Sequence, residues 1–402
     1  MDSTATEIEL PVISEAVCAE RAAPPRQSAF VPFLEGLRGL SALYVVLFHL
    51  YGNSPVPYPS LWLRLSTGWM HFGGYAVDVF IVLSGYCIMI PVARSADGAL
   101  RDGFRGFMKR RARRILPPYY AALLLCLALG AAAVLRAHGG GTGRQDLPDM
   151  SAGSIVSHLL LVHNLKAGWA QAFDPPMWSV ATEWQIYFLF PPLLLPVWRR
   201  YGNGAVVCAG FALGILPILF THGRWFWWAS PWFVGLYAMG MAGAAIQYRD
   251  GRARPLRLTV PWRALSIGLF CAICAVSTVF PRGAKYPYVI GMDVLVGAFT
   301  VALIGFCMRA GADGGERAPV ALRVLESRWA LLLGSCSYSL YLVHDIVNQN
   351  VIVPVLQPHL GPVARSSPAG FALDVIVKLT TVLACTYLFY RLFERPFTVR
   401  RA

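Results

Sequence analysis

Residues 35–52 read EGLRGLSALYVVLFHLYG, and the way these eighteen positions are read decides the fold. Arg38 and His49 bracket ten residues, most of them apolar. The stretch reads as a membrane helix. Eleven steps of about 100° bring a helix back to within about 20° of its starting direction and raise it by roughly 16 Å. The guanidinium and the imidazole therefore point the same way at depths about half a bilayer apart. Ionisable groups in lipid cost several kcal/mol, so they turn toward protein or a water-filled cavity.

The rest of the chain has the same character. Of its 402 residues 56% are hydrophobic and only 14% charged, against roughly 25% charged in soluble domains. Apolar blocks alternate with short basic or Pro/Gly-rich connectors. This predicts an all-α, polytopic integral membrane protein with about ten transmembrane helices, near 36–52, 71–92, 116–135, 177–197, 203–221, 229–247, 264–281, 286–308, 330–350 and 371–391. In a soluble chain the net charge of +14 would point to nucleic acid. Here about 25 of the Lys and Arg fall on the N-terminal side of the membrane and about 8 on the other, a bias that predicts cytoplasmic N- and C-termini and no nucleic-acid partner.

Residues 1–29 mix Glu, Ala, Pro and Ser and read as a flexible cytoplasmic tail, with the membrane domain over 30–399. No cleavable signal peptide is expected; the first span directs insertion. Nine cysteines are scattered. Cys271 and Cys274 form a C-x-x-C in mid-helix with no second pair, which reads as buried packing rather than zinc or redox chemistry, and no metal site is expected. The glycines of 139–143 read as a flexible part of a long outer loop. Its His138, Asp146, Asp149, His158 and His163 read as solvated residues with an option on an acceptor site. Abundant Ala, Gly and Arg fit a GC-rich bacterial genome and a bacterial cytoplasmic membrane.

Several polar residues interrupt the apolar blocks. Asp78 lies in HFGGYAVDVFIVLSGYCI; it either orients His49, as an acid orients a catalytic imidazole, or serves as a structural salt bridge or helix-start acid. Glu183, in PPMWSVATEWQIYFLFPP, is a buried proton acceptor or a hydroxyl holder, or else pairs with an arginine to lock the bundle. Trp178 suits an interface belt, and Tyr187 falls one turn beyond Glu183 on the same face. His344 ends LGSCSYSLYLVH, with Tyr341 one turn earlier; its bland alternative is a packing histidine bonded to a backbone carbonyl. On the expected topology His49, Asp78, Glu183 and His344 all fall in the outer half, one shared cavity, with Arg38 alone near the inner side. The stretch MKRRARRILPPYY places Arg110, Arg111, Arg113 and Arg114 at the inner surface. Arginines three apart share a helix face and grip a phosphate, or they simply anchor the chain to anionic lipid.

In chain order, these stretches resemble the membrane acyltransferase-3 family. Its first span carries an Arg or Lys, ten residues and a His, matched by Arg38 and His49. Its glycine-rich lead, Asp and F-x-L-S-G resembles Gly73 to Gly85, with Ile81 and Val82 where Phe is common. Its R-R-x-x-R-I-x-P-x-Y resembles Arg110–Tyr119, with an extra arginine at Arg113, and its W-S-L-x-x-E-x-x-F-Y resembles Trp178–Tyr187, with Val180 for Leu. S-Y-S-x-Y-L-x-H appears at Ser337–His344 and E-R-P-F at Glu394–Phe397. The resemblance spans about 31–399. It implies an O-acyltransferase that takes acetyl or another short acyl group from acyl-CoA, with no resident cofactor, and gives it to a hydroxyl of a carbohydrate, glycolipid or macrolide. It implies His49 as the catalytic histidine with Arg38 as its motif partner and leaves the roles of Glu183 and Asp78 open; as ionisable groups of the same expected cavity they are the further catalytic candidates. Donor binding falls to Arg38, Arg110, Arg111, Arg113 and Arg114, and the cavity wall to Trp178, Tyr187, Tyr341 and His344. The rival expectation is a transporter or flippase for an acylated sugar or lipid, since intramembrane His, Asp and Glu also suit a proton relay.

Overall fold

The computed structural model describes residues 31–52, 67–138, 148–221, 228–248, 260–279, 286–312 and 318–398. Among them every regular element is helical. The expected tail over 1–29 and the glycines of 139–143 lie outside the described residues.

Helix α1 runs unbroken over Pro32–Gly52, so Arg38 and His49 stand on one straight element. Helix α2 spans Ala76–Arg94 and opens with Asp78 in its first turn, where a carboxylate complements the positive helix end. Helix α3 covers Gly103–His138 and takes in all four arginines of 110–114, so that basic stretch is the start of a long helix rather than a loop. A short helix α4, Ala152–Leu159, follows.

Helix α5, Met177–Leu189, opens into a wide π turn at Phe190–Leu194, where Pro191 and Pro192 withhold their amide donors, and continues as α6, Leu195–Phe220. Gly202 in α6 has φ 84°, a left-handed conformation open to glycine, and it divides α6 by a kink. Helices α7, α8 and α9 are Phe233–Tyr248, Trp262–Val279 and Tyr286–Ala312. Helix α10, Arg328–Ser335, and helix α11, Ser337–Val347, meet at a bend of 73°. A second π turn, Asn348–Leu356, leads to α12, Gln357–Ser366, and then to α13, Pro368–Phe389.

Among the described residues seven helices are long and apolar enough to cross a membrane, or eight if the bent pair is one span. The difference from the ten expected lies in definable places. The stretch 177–220 is one continuous apolar run here, although Gly202 breaks it, and α7 has only 16 residues. Cys271 and Cys274 are exposed on α8 rather than buried, because that helix presents nearly its whole surface outward.

The frame holding α1 is tight. Gly39 meets the backbone of α10 at Gly334, so closely that a methyl group on Gly39 would overlap the Gly334 amide. Small residues are what let two apolar helices approach in lipid. Within α13 a buried Lys378 ammonium is neutralised one turn away by Asp374, at 3.0 Å. The bend between α10 and α11 leaves backbone amides without helical partners. Glu394 meets this need: its carboxylate accepts from the Ser339 backbone N–H at 2.9 Å and from the Ser339 hydroxyl.

Candidate functional site

Two side chains from opposite ends of the chain meet near the far end of α1. His344 Nε2 lies 3.2 Å from His49 Nδ1. The tautomers of both rings follow from their other contacts. His344 Nδ1 faces two backbone carbonyls, Tyr341 O at 2.8 Å and Leu340 O at 3.2 Å. Carbonyls only accept, so Nδ1 carries the proton. Nε2 of the neutral ring then holds a lone pair. His49 Nδ1 faces that lone pair and also the Val45 carbonyl at 3.0 Å. It meets two acceptors and must itself be the N–H. The remaining nitrogen, His49 Nε2, is left as a free base. It has no hydrogen bond among the described residues, and the ring is only half-buried. His344, by contrast, is fully enclosed.

From this pair a line of polar groups runs back toward Arg38. Tyr341 is one turn before His344, and its hydroxyl lies 2.6 Å from Ser179 Oγ on α5. Ser179, Glu183 and Tyr187 repeat at one-turn intervals on the same face of α5. The Tyr187 hydroxyl donates to Glu183 Oε1 and contacts Ser84 Oγ at 2.8 Å. Glu183 and Tyr187 are in turn close enough to Arg38 to interact with it electrostatically. Arg38 itself donates to Glu35 at 3.0 Å and contacts Cys87 Sγ at 3.9 Å.

The arginine helix sorts its four cations by face. Arg111 is half-buried and Arg114 keeps an exposed surface, yet both interact with Cys87, and Arg114 also feels Arg38. Arg111 lies 5.8 Å over the Phe107 ring, and its buried Nε has no hydrogen-bond partner. Arg110 turns the other way and pairs with Asp102 at the surface, and Arg113 is exposed. Of the five expected donor-binding cations, three converge and two do not.

Three further placements differ from expectation. Asp78 does not orient His49. It packs against Asp293 on α9, whose Oδ2 accepts from Trp232 Nε1 at 2.6 Å. The outer-half cavity expected to hold His49, Asp78, Glu183 and His344 therefore divides, because Glu183 hydrogen-bonds toward the Arg38 end and Asp78 joins a separate acid pair. Trp178 packs on Trp228 and Phe233 and does not reach the histidines.

Helix α4 and the segment after it are not a solvated loop. His158 and His163 are fully buried and stacked, with ring centroids 3.9 Å apart and planes 5° from parallel. Burial, with the neighbouring imidazole second, pushes His163 down to about 3, and burial also lowers His158. Asp149 does remain exposed, accepting from the Ser151 amide. Asp146 lies outside the described residues.

Among the described residues no cluster of three or more His, Cys, Asp or Glu side chains forms a metal-ligand group. Residues that sequence reasoning missed are Ser179, which joins Tyr341 to α5, and Asp293, the partner of Asp78. The first was inside a quoted motif, one turn before Glu183. The second, a lone acid in an apolar helix, carried the same signal as Asp78.

Similar proteins carry the reading further. The peptidoglycan O-acetyltransferase OatA of Listeria monocytogenes is 24% identical over 371 residues, which is 82% of this chain and 52% of that protein. YrhL of Bacillus subtilis (strain 168), provisionally named a peptidoglycan O-acetyltransferase, is 29% identical over 176 residues, 41% of this chain and 24% of its own length. SACOL0978 of Staphylococcus aureus (strain COL), provisionally named an O-acetyltransferase, is 25% identical over 221 residues, 50% of this chain and 32% of its own length. The chain thus spans about half or less of these relatives. No solved structure matches it. The profile of the acyltransferase domain family matches residues 31–391, so this multi-pass membrane chain belongs to the acyltransferase-3 family.

Proposed function

We propose that the chain is an integral O-acetyltransferase of the bacterial cytoplasmic membrane, which moves a short acyl group from acetyl-CoA or a related thioester to a hydroxyl of a glycan. The histidine pair carries this reading. Backbone carbonyls fix the tautomer of His344, His344 fixes that of His49, and His49 is left with its basic Nε2 toward the open side. A base held in this way is what deprotonation of a hydroxyl requires. The names of OatA and YrhL favour a peptidoglycan glycan as the acceptor.

The rest of the path fits the donor. Its phosphates meet Arg38, Arg111 and Arg114, three cations that the described ion pairs neutralise only through Glu35. With the termini cytoplasmic, this end faces the compartment that supplies acyl-CoA. The pantetheine arm extends along Ser179, Glu183 and Tyr187, whose oxygens recur at one-turn intervals and suit its amides. The thioester carbonyl then lies beside His49. As the acceptor oxygen attacks, His49 Nε2 takes its proton, the C–O bond forms, the C–S bond breaks and the proton passes to the leaving thiolate. His344 stabilises the His49 imidazolium by accepting from its Nδ1–H. This follows the orienting logic of a catalytic triad with an imidazole in place of the acid.

The test is thiol release from acetyl-CoA by the purified chain in nanodiscs, with and without a glycan acceptor. The proposal expects acceptor-dependent release in the wild type and none in His49→Ala. A wild type that moves acylated glycan across the bilayer without releasing thiol would establish the transporter instead.

A further inference from the structure

We infer that Asp174, Asp345 and Asn348 form the site that recognises the hydroxyls of the acceptor, next to the His49–His344 pair. The inference rests on the acyl-transfer reading and adds an acceptor subsite to it. Its geometry begins on α11 and the π turn that follows, where Tyr341, His344, Asp345 and Asn348 occupy positions i, i+3, i+4 and i+7 of a single stripe. One member of that stripe, His344, touches the candidate base. Tyr341 fixes what lies opposite, because its hydroxyl donates to the Pro176 carbonyl at 3.1 Å. That contact pins the segment 174–176 against α11, and Asp174 lies close enough to Asp345 to feel its charge.

The side chains gathered there share an unusual property. Asp174 is 1% exposed, and neither of its carboxylate oxygens has a hydrogen-bond partner. Asn348 is equally buried; its Nδ2 donates to Asp345 Oδ1 at 3.2 Å, while its own Oδ1 has no partner. Buried polar atoms are as a rule hydrogen-bonded. The Asn348 Oδ1 accepts, and the Asp174 carboxyl offers at least one further acceptor oxygen, so the matching ligand supplies donors. An anion is repelled by the two carboxyls and drawn to the arginines at the other end. A carbohydrate fits, since adjacent sugar hydroxyls present donors spaced for a carboxylate. Burial, with the Asp345 charge second, holds the Asp174 carboxyl well above the usual carboxylate range. A carboxyl that holds its proton donates as well as accepts, and a sugar hydroxyl, which does both, suits it. The wide turn at Asn348–Leu356 adds a second sign, because π turns within helices recur at functional sites.

The probe is chitotetraose, a neutral hydroxyl-rich oligosaccharide, bound to the full chain in nanodiscs without donor. The expected result is saturable binding by the wild type and at least tenfold weaker binding by Asp174→Asn and by Asn348→Leu. Affinity for acetyl-CoA stays within twofold in both variants, which reports that they remain folded. The inference is overturned if the wild type does not bind the oligosaccharide or if the variants bind it as well as the wild type does. Turnover is read separately. Binding that the variants lose, in a chain that releases no thiol, leaves the site standing and removes the transfer reading.

Discussion

At its Arg38 end α1 enters a crowd of charges; at its His49 end it meets a neutral imidazole and backbone carbonyls. Around Arg38 stand the ionisable side chains of Arg111, Arg114, Glu35 and Glu183, which interact electrostatically with it or with one another. Around His49 the hydrogen-bond partners among the described residues are the Val45 carbonyl and the His344 imidazole. On the proposed function the contrast separates binding from chemistry. An excess of cations holds a polyanionic donor, whereas a base must be free to gain and lose a proton without a nearby fixed charge dictating its state.

Removing the base should have the largest effect. His49→Ala lowers kcat by about a thousandfold, within the range general-base catalysis supplies, with unchanged amounts of protein in the membrane; near-normal thiol release would refute the assignment. His344→Ala comes next. It leaves the base present but frees its tautomer, and a loss of about a hundredfold in kcat with an unchanged donor KM is expected, as when an orienting partner is removed. An equal rise in donor KM would make His344 a packing residue instead.

Cations at the other end act on KM. Arg111→Ala and Arg114→Ala each raise the acetyl-CoA KM about tenfold, and the penalty shrinks with a donor lacking the 3′-phosphate. Arg110→Ala, paired outward with Asp102, changes it less than twofold. If Arg110 and Arg111 behave alike, lipid anchoring rather than donor binding explains the whole basic stretch.

The smallest effect expected is on stability. His163 titrates near 3 in the fold against about 6.5 in the unfolded chain. Between those values the unfolded chain binds more protons, so stability falls as pH drops from about 6.5 toward 3. Asp174 opposes this, because its raised pKa favours the fold at low pH. A thermal midpoint measured over that range should therefore fall less steeply in His163→Phe than in the wild type.

How much of this was legible follows from distance along the chain. Helical periodicity alone placed Arg38 and His49 on one face and paired Arg111 with Arg114, because those relations are local. It left open which of the two Arg-x-x-Arg pairs interacts with Cys87 and Arg38, since those residues lie across the bundle. His344 was visible as an intramembrane imidazole, but its partner stands 295 positions away. Asp78 was open to two readings for the same reason: a lone acid announces that it needs a partner and does not say which. The buried His158 and His163 were hidden by their setting, a polar segment with no long apolar run, whose helices are too short to show a period.

The clasp of Glu394 on Ser339 has a consequence for biogenesis. The start of the helix that presents His344 is completed by a carboxylate 55 positions later. During synthesis that helix waits in the bilayer with its first amides unanswered until residue 394 has emerged from the ribosome. The order of assembly thus runs backward through the candidate site: the helix that bears His344 gains this cap only after the chain beyond it has returned.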